Sequence, residues 1–112
     1  MLLLGKPGYR RINKIISGDV DISEEVEAFT MQVSKHMLPV TEQLPIFTDQ
    51  QIRSISSPVL YVGGTKDALL NTMATNKRSR SLLPEATSII LEGAPHVILD
   101  QGELIKKFLL RR

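Results

Sequence analysis

Two short segments carry residue types suited to acid–base chemistry. Gly64-Thr65-Lys66-Asp67 follows the apolar run Pro58-Val59-Leu60-Tyr61-Val62, and Gly93-Ala94-Pro95-His96 follows Ile89-Ile90-Leu91. A carboxylate beside an imidazole fixes the ring's tautomer and orientation and stabilises the cation formed when the ring takes a proton. A hydroxyl activated by such a pair becomes a nucleophile. Asp67 and His96 therefore supply two of the three parts of a charge-stabilised triad, each in the turn that leaves a strand-like run.

The elements around these turns have to bring them together. Val59 to Val62 is apolar throughout, which suits a parallel strand with helices on both sides. Thr72 to Leu83 reads as a helix stopped by Pro84, and Thr87 to Leu91 as a second strand. Strand, helix and strand in this order form a βαβ unit of an α/β fold, with both strands pointing the same way. The two turns then lie at one edge of the sheet, in the crevice where open α/β sheets bind ligands. Gly63 and Gly64 are expected to let the chain leave the first strand sharply through positive φ, and Gly93 to do the same before His96. Pro95 pushes Ala94 toward extended backbone, which either holds the histidine turn stiffly or misplaces it.

Flanking segments read as helices. Tyr9 to Ser17 places Tyr9, Ile12, Ile15 and Ile16 on one side, with Gly18 as a stop. Asp21 with Glu24 forms a capping pattern before Ile22, Val26, Phe29, Val33 and Met37, which recur at helical spacing until Pro39. His36 lies at the rim of that stripe and reads as structural. Pro39 to Phe47 is an extended connection, followed by a short helix from about Asp49 to Ser54. A closing helix spans Asp100 to Leu110, with Leu104, Ile105, Phe108 and Leu109 as its apolar side. Asp49, Asp100 and Glu103 read as helix caps.

With these elements in place, the stretch from about residue 44 to 112 resembles the C-terminal part of an α/β-hydrolase-fold protein. In that family the chain order is nucleophile, acid, histidine, with the nucleophile on a G-x-S-x-G elbow. The resemblance implies that Asp67 is the orienting acid and His96 the general base. Residues 1–43 resemble its helical lid more loosely. No G-x-S-x-G occurs: Ser17-Gly18, Ser54-Ile55-Ser56-Ser57 and Ser79-Arg80-Ser81 all lack the flanking glycine pair. The expectation is an esterase-like acid-and-histidine segment that is inert alone and acts on a small-molecule substrate once a nucleophile-bearing segment completes it. The other reading is a non-catalytic module that buries its open strand edges against a second copy or a partner.

Composition narrows the classes further. At 112 residues, 42% hydrophobic and 23% charged, the sequence is ordinary for one globular unit and short for a complete hydrolase. It has no cysteine, hence no disulfide and no thiolate metal site, and no cofactor is expected. Met1-Leu2-Leu3-Leu4 is too short an apolar run for an export signal, and no stretch is long enough for a membrane span, so a cytoplasmic location is expected. The net charge is +2, with basic clusters at Arg10, Arg11 and Lys14 and at Lys77, Arg78 and Arg80. Both clusters fall on helices with apolar opposite faces and few aromatics, so they read as solvated faces rather than a nucleic-acid surface. Gly63-Gly64 after a strand lacks the G-x-G-x-x-G that a dinucleotide site needs.

Overall fold

A computed structural model describes residues 5–38 and 40–111. The Met1 to Leu4 run, Pro39 and Arg112 lie outside the described residues. In chain order the elements are α1 (Gly5–Ser17), α2 (Glu24–His36), α3 (Asp49–Arg53), β1 (Leu60–Gly64), α4 (Thr72–Leu82), β2 (Thr87–Leu91) and α5 (Gly102–Leu109). This is a small mixed α/β unit in which two parallel strands are flanked by helices.

Local chemistry explains most boundaries and corrects several expected ones. α1 begins four residues before Tyr9, because Pro7 in the first turn removes an N–H that would lack a partner there anyway. α2 is capped by Ser23, not Asp21: the Ser23 hydroxyl accepts from the Val26 N–H at 3.3 Å, and Glu24, Glu25 and Glu27 load the positive first turn. At α3 the cap is Thr48 in a reciprocal capping box with Gln51. Asp49 is the first helical residue instead, and its carboxylate is 2.8 Å from the Arg78 guanidinium on α4. The expected Asp100–Glu103 cap is also overturned. Gln101 precedes α5 without a side-chain cap, and Asp100 has φ +60°, a left-handed turn conformation that a short polar side chain tolerates.

β1 and β2 form a two-stranded parallel sheet in register Leu60 to Thr87 through Gly64 to Leu91. The intervening α4 packs against both strands, and α3 packs against α4. The Asn71 side chain accepts from Ala74 N–H to start α4, and the Thr72 hydroxyl, buried, donates to the Gly64 carbonyl at 2.7 Å. That bond fixes the helix start onto the end of β1. Leu82, 6% exposed, is the best-buried apolar residue described. Leu60, Tyr61 and Val62 are half-buried, so β1 is less covered than its all-apolar sequence suggests. On α2, Phe29 stays 70% exposed, and α1 meets α2 through a two-bond ion pair between Arg10 and Glu27 at 2.8 and 3.0 Å.

The paired glycines act differently from the expected sharp exit. Gly63 and Gly64 belong to β1, and neither has positive φ. What Gly64 provides is room: a Cβ there would lie 2.1 Å from the Ala94 carbonyl oxygen, a backbone atom with nowhere to retreat. Gly93, at φ +76°, does adopt the expected left-handed conformation. Gly64→Ala is accordingly expected to destabilise the fold by about 3 kcal/mol, the upper end of overpacking costs. Gly102→Ala, at a helical position with open space, should be neutral or slightly stabilising. Urea unfolding of the two variants checks the contrast.

Candidate active site

Beyond β1 the chain does not diverge at once from the histidine turn. Thr65 N–H donates to the Leu91 carbonyl at 3.1 Å, and Lys66 N–H donates to the Ala94 carbonyl at 2.9 Å. The two turns therefore continue the strand pairing for two residues past the sheet, possible only because Gly64 admits the Ala94 carbonyl. The acid turn closes on itself through Asp67 N–H to the Gly64 carbonyl at 3.2 Å.

That path aims Asp67 at His96. Asp67 Oδ2 lies 2.8 Å from His96 Nδ1, and the carboxylate side chain is 6% exposed while the ring is 41% exposed. Its other oxygen, Oδ1, accepts from the Leu69 and Leu70 N–H groups at 2.8 and 2.9 Å. Removal from water pushes the Asp67 carboxyl up. The His96 hydrogen bond, the two backbone donors and the imidazolium charge outweigh that and leave it below the usual carboxylate range. A carboxylate so held accepts a hydrogen bond from Nδ1–H and leaves Nε2, the lone-pair nitrogen, as the available base.

The histidine turn is braced from a second side that sequence reasoning missed. Val97 N–H donates to the Ile16 carbonyl at the end of α1 at 3.0 Å. Gly18, at φ +66°, brings the chain against the Pro95 ring, which a Cβ at Gly18 would approach to 3.4 Å. The first helical segment is thus tied to the histidine turn, and Pro95 serves as the contact surface. No periodicity announces a carbonyl at Ile16 as the partner of an amide 81 positions later; only the glycine stop at Gly18 hints at a tight junction.

His36 is exposed at the end of α2, far in the chain from the pair and without a carboxylate partner among the described residues. Among the described residues no group of three His, Cys, Asp or Glu side chains could hold a metal ion, and no hydroxyl is hydrogen-bonded to His96. A hollow of about 420 Å³ opens beside Asp67, lined by Thr65, Leu69, Leu70, Thr72 and Met73. A second, of about 360 Å³, lies between α1 and α2 around the Arg10–Glu27 ion pair, and neither Asp67 nor His96 lines it. Also among the described residues, no helix is long and apolar enough to cross a membrane.

Over 66 residues the chain is 32% identical to Carboxylesterase YbfK of Bacillus subtilis (strain 168), a stretch that makes up 58% of this chain and 22% of that protein. The chain therefore spans about a fifth of the length of the curated relative it matches. No family model matches the chain, and no solved structure is similar to it.

The electrostatics of the pair give a checkable pH dependence. Because the folded Asp67 carboxyl is depressed, its ionisation stabilises the fold above the ordinary carboxylate value of about 3.9, and this contribution is lost as pH falls through the depressed folded value. Carbon-13 titration should place the Asp67 midpoint below about 3.9 and move it upward in His96→Ala. A midpoint unmoved by that substitution contradicts the pairing.

Proposed function

We propose that this chain is the acid-and-histidine part of an esterase-like α/β-hydrolase, with Asp67 orienting the ring and His96 as general base and then general acid. The observation that carries this reading is the 2.8 Å contact between a nearly buried carboxylate and Nδ1 of a half-exposed imidazole at the C-terminal edge of two parallel strands. Among the described residues only Nδ1 is engaged, so Nε2 is left to take a proton from a hydroxyl and later return it to a leaving group. The similarity to a carboxylesterase supports an ester as the substrate class. The hollow beside Asp67, lined by Thr65, Leu69, Leu70, Thr72 and Met73, leaves room next to the pair for part of such a substrate. Since the sequence contains no G-x-S-x-G, the nucleophile in this reading comes from a segment outside these 112 residues.

The reading has a direct test. The 112-residue chain alone should hydrolyse an activated short-chain ester no faster than its His96→Ala variant. The genomic frame upstream of the Met1 codon should encode a G-x-S-x-G, and the longer product should hydrolyse the same ester. In that product Asp67→Asn should lower kcat by about 10⁴-fold and His96→Ala by about 10⁶-fold. Full activity in both variants would sink the assignment.

A second reading is favoured by the surface. Leu38 is 92% exposed, Val40, Leu44, Ile46 and Phe47 follow it in the open, and among the described residues the sheet has two strands. A two-stranded sheet is marginal by itself, and an open edge beside exposed apolar side chains drives association. In this reading the chain is a self-associating module. Light scattering at micromolar concentration should then show a dimer or larger species, and a monodisperse monomer would contradict it.

A further inference from the structure

Thr65 spends its side chain on the opposite turn. Its Oγ1 donates to Glu92 Oε1 at 3.0 Å and accepts from the Gly93 N–H at 2.8 Å. A hydroxyl that donates and accepts at once has its rotation fixed, and ending on a carboxylate makes the chain from Gly93 N–H through Thr65 to Glu92 charge-assisted and mutually polarising. Gly93 needs such a tie. It stands at φ +76°, and nothing lies within 4 Å of where a side chain would begin, so packing does not hold it. Thr65 is two residues from Asp67, and Gly93 is three from His96. The remaining stretch of the histidine turn is held by the Lys66 N–H on the Ala94 carbonyl and from α1, through Ile16 and Gly18.

We infer that Thr65, through Glu92 and the Gly93 amide, is a positioning residue that locks the acid turn to the histidine turn and thereby sets the separation of Asp67 and His96. The inference rests on the same side-chain contact as the proposed function, deepens it by naming what holds that contact, and needs no substrate. Neither residue touches the ring or the carboxylate; both act through the backbone of the two turns. Valine at position 65 keeps the shape and loses both bonds, whereas serine keeps both.

The experiment is carbon-13 titration of the Asp67 carboxyl in the full chain, compared among the wild type and Thr65→Val, Thr65→Ser and Glu92→Ala. Thr65→Val should raise the Asp67 midpoint toward the ordinary value of about 3.9, as the partners drift apart. Thr65→Ser should titrate with the wild type, and Glu92→Ala, which keeps the Gly93 bond, should fall between. A Thr65→Val midpoint equal to a depressed wild-type midpoint overturns the inference and leaves the proposed function standing. A wild-type midpoint that is not depressed overturns the pairing on which both depend. If Thr65→Val does not fold, Glu92→Ala at its exposed position decides: an upward shift supports the clamp, and no shift overturns it.

Discussion

Parallel pairing of β1 with β2, continued two residues beyond the sheet, is the constraint from which the rest of the arrangement follows. Antiparallel strands would send the two exits to opposite edges; parallel ones send them to the same edge. The register Gly64 to Leu91 then sets how far each turn runs before its functional side chain. The close approach of the Ala94 carbonyl to Gly64 keeps the turns in contact instead of letting them splay. A hydrogen bond between two side chains 29 positions apart costs conformational entropy unless the backbone has already fixed their neighbours. Here the backbone does so, and the Asp67 carboxylate is further fixed by two N–H groups of its own turn.

The supports of the pair are unequal in kind. The Asp67 side rests on β1 and the buried Thr72 hydroxyl at the start of α4. The His96 side hangs between the second strand and the end of α1, through single hydrogen bonds, one between half-buried Val97 and Ile16 and one at exposed Gly93. Single hydrogen bonds are individually modest in net strength, and without a buried anchor like the Thr72 hydroxyl the histidine turn is the softer half of the site. In the proposed function the ring must give and take a proton, and some freedom there is compatible with that role; in an orienting acid it is not.

The sequence made the parts with strong local signals readable. β2 occupies Thr87 to Leu91 as its apolar run requires, and α4 stops before Pro84 because proline cannot continue the ladder. The shared edge of the Asp67 and His96 turns follows from two apolar runs separated by a helix. Caps were less readable, since Asp21 and Ser23, or Thr48 and Asp49, are chemically interchangeable as acceptors, and which one caps depends on where the first helical turn closes. The role of the glycine pair is not legible in sequence, because a need for space looks the same there as a need for positive φ. The links through Ile16, Thr65 and Glu92 carry no periodicity at all. They exist only once two distant turns have met, and they show how long-range contacts specify a site that local patterns merely permit.

The central claim is that Asp67 holds the Nδ1 proton of His96 and leaves Nε2 as the base. Nitrogen-15 spectroscopy of the imidazole in the full chain, at a pH where the ring is neutral, reads this directly. The account predicts a protonated Nδ1 and an unprotonated Nε2 that revert to the tautomer mixture of a free histidine when Asp67 is changed to Asn. A proton on Nε2 in the unaltered chain would contradict it.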